Sequence, residues 1–237
     1  MDRRLLGPQQ TVSAAPRSRR RWLLPALLAL AGVLALMIDL PLARWVAAGH
    51  CPDELRKICG LAEVFGHGFG VAAIVLTIYV LDPVHRRMLP RVLAASLGSG
   101  IVANCFKLLV ARTRPHRFEL TDQVGQTFVD WLPLWRAGSA NQGFPSSHTA
   151  VAVGLAIALV ALYPRGRRLF PALAVLAALQ RIVVNYHFLS DVFWGAAVGA
   201  LFGGLCIGQS VIAKRFDRIE QPSVDVDEDS APNVRAA

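Results

Sequence analysis

Apolar residues fall in long runs along this chain, separated by short polar connections. The first run extends from Trp22 to about Ala48, and others cover roughly 64–82, 92–111, 147–163, 169–187 and 190–212. Most approach the ~20 residues a helix needs to cross a hydrocarbon core. A chain in lipid must satisfy its backbone internally, so runs of this length predict helices. The pattern therefore predicts an all-α, polytopic membrane protein with about six transmembrane helices in a bundle. Small residues recur within the runs, among them Ala94, Ala95, Gly98 and Gly100, then Gly195, Ala196, Gly199, Gly203 and Gly204. They let helices approach closely where lipid removes the hydrophobic drive to associate. The Gly195–Gly199 spacing is expected to pack inside the molecule rather than to form a dimer face.

The polar segments set the domain limits and the topology. Residues 1–21 end in Arg17, Arg19, Arg20 and Arg21 and read as a basic, disordered cytoplasmic arm. Arg19-Arg20-Arg21-Trp22-Leu23-Leu24 resembles a twin-arginine export signal, with Val46-Ala47-Ala48 as a cleavage site. The apolar run is long enough to span, however, and more spans follow, so an uncleaved first helix is expected. The transmembrane domain is expected over 22–213 and a disordered cytoplasmic tail over 214–237, where Asp225, Asp227, Glu228 and Asp229 cluster. The arm, the connection 82–91, the connection 164–168 and the segment after Ala213 are all rich in arginine or lysine. In a six-helix arrangement these four share one side, which the positive-inside rule makes cytoplasmic. The opposite side holds 49–63, 112–146 and the turn near 187–190. The export-like start and compact loops suggest a bacterial inner membrane, with both termini cytoplasmic. The 112–146 connection is long for an unstructured loop, so structure or a substrate role is expected there. Within it, Trp131, Leu132, Leu134 and Trp135 suit an interfacial anchor.

Composition narrows the class. Hydrophobic residues make up 54% of the chain and charged residues 17%, and the mean hydropathy is +0.44. That excludes an ordinary soluble domain. The net charge of +9 would suit a nucleic-acid partner, but the basic residues sit in short groups at helix ends, so no nucleic acid is expected. Cys105 and Cys206 fall inside apolar runs, as packing residues. Cys51 and Cys59 flank a polar connection and read either as free thiols or as a disulfide on the oxidising side. No cysteine or histidine spacing suggests a metal, and no cofactor is expected.

Three clusters carry chemistry. Lys107 and Arg114-Pro115 lie seven residues apart, two turns on one helix face if the helix continues; two snorkelling interfacial cations would look the same. Pro145-Ser146-Ser147-His148 precedes an apolar run, which makes it a helix N-terminus able to hold phosphate, or an ordinary N-cap with an incidental histidine. Arg181, His187 and Asp191 bracket a helix junction, with His187 and Asp191 four apart and able to face each other. A carboxylate on one imidazole nitrogen leaves the other as a nucleophile; a purely structural His–Asp bond has the same spacing. All three sit on one membrane face, where coincidence is a poor account of them together.

These clusters resemble the three-part signature of the type 2 phosphatidate phosphatase and vanadium haloperoxidase superfamily: Lys-x6-Arg-Pro, Pro-Ser-Gly-His, and Ser-Arg-x5-His-x3-Asp. Lys107, Arg114 and Pro115 match the first part, Pro145, Ser146 and His148 the second, and Arg181, His187 and Asp191 the third. Ser147 stands for the usual glycine and Gln180 for the usual serine. The resemblance implies an integral-membrane lipid phosphate phosphatase, metal-independent, acting on a monoester or diphosphate at the outer face. It implies His187 as nucleophile, His148 as general acid and base, and Asp191 as support for His187. Lys107, Arg114, Ser146, Ser147 and Arg181 would bind the phosphate. The partners implied are the bilayer and a phosphorylated membrane lipid. Alternatives are a lipid phosphotransferase with an alcohol acceptor and a non-enzymatic carrier of anionic lipids. A carrier would need polar groups or broken helices near the midplane, whereas these charges gather at one edge. A haloperoxidase is disfavoured because those relatives are soluble.

Overall fold

A computed structural model describes residues 20–120 and 123–221; the arm at 1–19 and the segment 222–237 lie outside the described residues. The chain begins with α1 (Arg20–Ala35) and α2 (Asp39–Ala47), then α3 (Asp53–Ala62), a 3-10 turn at Glu63–Gly66 and α4 (Gly68–Leu81). Next come α5 (Leu89–Leu93), a π-helical turn at Ala94–Gly98 and α6 (Ser99–Lys107), then the strands β1 (Val110–Arg112) and β2 (Phe128–Trp131). The chain closes with α7 (Ser147–Leu162), α8 (Leu169–Val183), α9 (Leu189–Ile207) and α10 (Val211–Glu220). The segments Arg86–Lys107 and Leu189–Ile207 are each long and apolar enough to cross a membrane. The bent pairs α1–α2 and α3–α4 raise the candidates to four if each counts as one span, and α7 and α8 are shorter apolar helices. This is a polytopic helical membrane protein.

Two of the predicted straight helices are broken. The run beginning at Trp22 bends by 70° between Ala35 and Asp39, and the second bends by 66° at His67. The first break delivers a carboxylate inward, and the second lies beside a partly exposed one. Asp39, at the head of α2, is fully buried among hydrogen-bond donors, and Glu63, at the second break, pairs with Arg181 at 2.8 Å. A buried ion must find partners, and Asp39 finds them in Arg112 and Ser190.

The core lies between α4, α5, α7 and α8, around Val71, Val92, Leu155 and Leu159. α9 packs against α7 through the small residues singled out above. A Cβ on Gly195 would lie 2.3 Å from the Ser146 carbonyl oxygen, and one on Gly199 would lie 2.6 Å from that of Ala150. The Gly195–Gly199 pair thus serves contact within the molecule and brings the start of α9 against the start of α7.

The 112–146 connection has structure of its own. β1 and β2 pair antiparallel, with Val110 opposite Trp131, and Arg112 makes a further parallel bridge to Gln142. Trp131, Leu132, Leu134 and Trp135 are all exposed. At the C-terminus, residues 214–220, assigned above to a disordered tail, belong to α10. Arg91, counted above as a topology charge, is 2% exposed and explains the helix. Its Nε donates to Glu220 at 2.8 Å and its Nη2 to Asp217, so a buried cation holds α10 in place.

Candidate active site

Each motif residue sits where a helix stops or starts, and local chemistry fixes each stop. α6 ends at Lys107, and the chain turns through Leu108 and Leu109 into β1. Arg114 is therefore not on the same helix as Lys107, contrary to the two-turn expectation. Lys107 Nζ instead reaches across to Ser147 Oγ at 2.9 Å. α7 starts at an N-cap serine: Ser146 Oγ accepts from the Thr149 backbone and, at 3.0 Å, from the Thr149 hydroxyl. The Ser146 N–H donates to the Asp191 carbonyl oxygen at 3.0 Å, which joins the two helix starts. Ser146 thus shapes the turn, and the side chain beside Lys107 is that of Ser147, the residue replacing the family's glycine.

α8 ends on Asn185, whose φ of +57° is the left-handed conformation that asparagine tolerates at a helix C-terminus. The Arg181 carbonyl oxygen accepts from both Tyr186 and His187 N–H groups at 3.1 Å. This folds the chain back so that His187 follows directly above Arg181. Asp191 then caps α9 by accepting from the Phe188 N–H at 2.8 Å.

His187 is 4% exposed. Its Nδ1 lies 2.7 Å from the Gly143 carbonyl oxygen, and a carbonyl only accepts, so Nδ1 carries the proton and Nε2 keeps its lone pair. The nearest Asp191 oxygen is 3.8 Å from Nδ1. The direct partner of His187 is therefore a main-chain carbonyl, with the carboxylate just behind it. Burial pushes the imidazole below its ordinary pKa; Asp191 acts the other way, and Lys107 and Arg114 depress it further. The neutral form is favoured, with its lone pair on Nε2.

The cations crowd one another. Arg114 and Arg181 both lie over the Tyr186 ring, 5.6 and 5.1 Å from its centroid. Burial and then the neighbouring Arg181 lower the Arg114 pKa from its usual range. Among the described residues, four buried side-chain polar atoms have no hydrogen-bond partner: Arg114 Nε, His148 Nε2, Arg181 Nε and Gln180 Oε1. Buried polar atoms are normally hydrogen-bonded, and one left open at a site calls for a water, an ion or a ligand. Three of these atoms belong to motif residues. No group of three His, Cys, Asp or Glu side chains suited to a metal occurs among the described residues.

Several contributors were not picked out from the sequence. Glu63 receives Arg181 Nη1 at 2.8 Å and Gln180 Nε2 at 3.0 Å, which gives the second departure from the family pattern a partner. The His67 ring centroid is 5.7 Å from that of His148. A Cβ on Gly66 would lie 2.8 Å from the His148 carbonyl oxygen, so the second helix break lies against the site. Arg112 bonds to Asp39, to Asp191 and to the Gly143 N–H, and the Gly143 carbonyl oxygen meets His187. Asp39 and Glu63 did carry a signal, as carboxylates inside or at the edge of apolar runs. Gly143 and Tyr186 carried none.

The PAP2 superfamily model matches residues 89–214. Over 104 residues, 44% of this chain, it is 35% identical to "Lipid A 1-phosphatase" of Rhizobium johnstonii and 33% identical to the protein of the same name from Rhizobium etli. The match spans 40% and 42% of those relatives' lengths. No solved structure matches significantly. The matched segment contains Lys107, Arg114, Ser146, His148, Arg181, His187 and Asp191 together, and the chain belongs to the PAP2 superfamily.

Proposed function

We propose that this protein is an integral-membrane lipid phosphatase that releases inorganic phosphate through a phosphohistidine intermediate. The observation that carries the reading is the set of buried, unpartnered nitrogens on Arg114, Arg181 and His148, around a histidine whose Nδ1 is already engaged. Lys107, Arg114 and Arg181, with the Ser147 hydroxyl and the first-turn amides of α7, would hold the non-bridging oxygens. Charge stabilisation and positioning are the main tasks in phosphoryl transfer, and three cations supply both.

In the first step the His187 Nε2 lone pair attacks phosphorus and the bond to the lipid oxygen breaks. His148 gives that oxygen its proton. In the second step His148 takes a proton from water, the resulting hydroxide attacks phosphorus, and the P–N bond breaks to restore His187. The substrate enters sideways from the bilayer, its tail in lipid and its phosphate at the edge. That edge is the outer, periplasmic face, because the basic connections 82–91 and 164–168 join the opposite ends of the helices. Both termini are then cytoplasmic, in a bacterial inner membrane. Lipid A phosphates lead the substrate candidates, on the strength of the relatives' name.

Phosphate release by detergent-purified protein tests this, across lipid A, phosphatidate, phosphatidylglycerol phosphate and polyprenyl diphosphate, with EDTA present. The expected result is EDTA-resistant release from at least one lipid. Folded protein that releases phosphate from none, or transfers it only to an added alcohol, would contradict the reading.

The general-acid role makes a separate prediction. His148→Gln should slow lipid phosphate hydrolysis by about 10²-fold. With p-nitrophenyl phosphate, whose leaving group needs no proton, the defect in the first step should largely vanish. Rapid-quench measurement of the first turnover separates the two. An equal defect for both esters would remove His148 from leaving-group protonation.

A further inference from the structure

Behind His187 lies a buried ionic network of which the motif includes only Asp191. Arg112, 0% exposed, engages all three of its guanidinium nitrogens. Nε donates to Thr127 Oγ1 at 2.9 Å, Nη1 to Ser190 Oγ at 2.7 Å and to Asp191 Oδ1, and Nη2 to Asp39 Oδ2 at 2.7 Å. The Phe128 and Phe188 rings sandwich it, with centroids 4.5 and 4.4 Å from Cζ. Asp39 also accepts from the Ser190 N–H at 2.9 Å and from the Ser190 hydroxyl. The Arg112 guanidinium and the Ser190 N–H both donate to Asp39, one to each carboxylate oxygen.

This network reaches His187 along two routes. The guanidinium fixes Asp191, the carboxylate beside Nδ1. The main chain fixes the hydrogen-bond acceptor: the Arg112 carbonyl oxygen accepts from the Gly143 N–H at 2.9 Å, and the Gly143 carbonyl oxygen holds Nδ1. With both carboxylates ionised, Arg112 is one cation between two anions, and the buried assembly then carries a net single negative charge. Fixed charge in a water-excluded site acts strongly on charge that develops nearby, and His187 becomes cationic as its P–N bond forms.

We propose that Asp39 and Arg112 are positioning residues for the phosphatase reaction, holding Asp191 and Gly143 on His187 and placing net negative charge behind it. The inference rests on the phosphatase reading above. Neither residue touches the substrate, so their loss should appear in kcat and not in KM.

Asp39→Asn is the test, because it keeps shape and acceptor while removing one charge. With folding checked by thermal melting, kcat for the lipid phosphate should fall by about 10–100-fold, the range for outer partners of a functional histidine, and KM should stay within about threefold. A folded variant with parental kcat would overturn the proposal, as would a loss confined to melting temperature. Should Asp39→Asn fail to fold, Arg112→Lys keeps a cation between Asp39 and Asp191 and gives up the planar fork that holds them. That variant should fold and remain slow; parental kcat in it would show that the network is structural alone. A parent that releases no phosphate overturns the phosphatase reading and this inference together. An active parent beside an equally active variant overturns this inference only.

Discussion

Replacing His187 with alanine should abolish turnover, lowering kcat by about 10³-fold or more, in protein that still folds. The side chain is buried and its one close polar contact is to the Gly143 carbonyl oxygen. Its removal leaves that oxygen short of a donor, at a cost of about 1–3 kcal/mol, which a polytopic bundle should survive. The phosphate-binding cations remain, so the variant should still bind lipid phosphate while failing to cleave it. Phosphate release and inhibition by inorganic phosphate, measured side by side, separate the two. A variant that keeps a tenth of parental kcat would exclude His187 as nucleophile.

Arg114→Ala is expected to have the second largest effect. Arg114 stands at the end of the β1 segment, over the Tyr186 ring, with its buried Nε unpartnered. Arg181 differs, since Glu63 already holds its Nη1. Arg114 is thus the cation with most to offer an incoming phosphate. A preorganised donor aimed at developing charge is worth about 10²–10³-fold, so kcat/KM should fall by that amount. Arg114→Lys should recover only part of it, because a lysine lacks the planar fork that grips two phosphate oxygens. Steady-state kinetics on the preferred lipid phosphate checks this. A loss below about threefold for Arg114→Ala would place the phosphate elsewhere.

Much of this site was legible in the chain, for a definite reason. Ser146 and Asp191 lie where an apolar run meets a polar segment, and Lys107 and Arg181 are cations within the last turns of such runs, both readable from composition. The serine N-cap of α7 and the start of α9 follow from the same boundaries. Pairing across distance was not legible. Asp39 and Arg112 are 73 residues apart, and no local pattern joins them. The break between Ala35 and Asp39 carries a local signal in Asp39 and Pro41, both in the first turn of α2; the buried network holds Asp39 inside. The antiparallel β1–β2 pair escaped the helical pattern because its strands are three and four residues long. The four-residue spacing of His187 and Asp191 suggested two side chains on one helical turn. In the structure His187 precedes α9, and Asp191 spends its oxygens on Phe188 and Arg112. Spacing placed the right residues together and misjudged which bond each one makes.

The two departures from the family pattern also gain a physical account. Ser147 keeps its amide at the N-terminus of α7 and adds a hydroxyl that receives Lys107 Nζ. Gln180 donates to Glu63, which in turn holds Arg181. Each substituted residue contacts a motif cation directly or through one carboxylate.

The central claim is that phosphate passes through His187. Its most direct test is rapid quenching in base after mixing the protein with lipid phosphate labelled at phosphorus, followed by mapping of the label. The account predicts a base-stable, acid-labile label on the peptide containing His187, present during turnover and absent from His187→Ala. Steady phosphate release without label on the protein, or label on another residue, would contradict it.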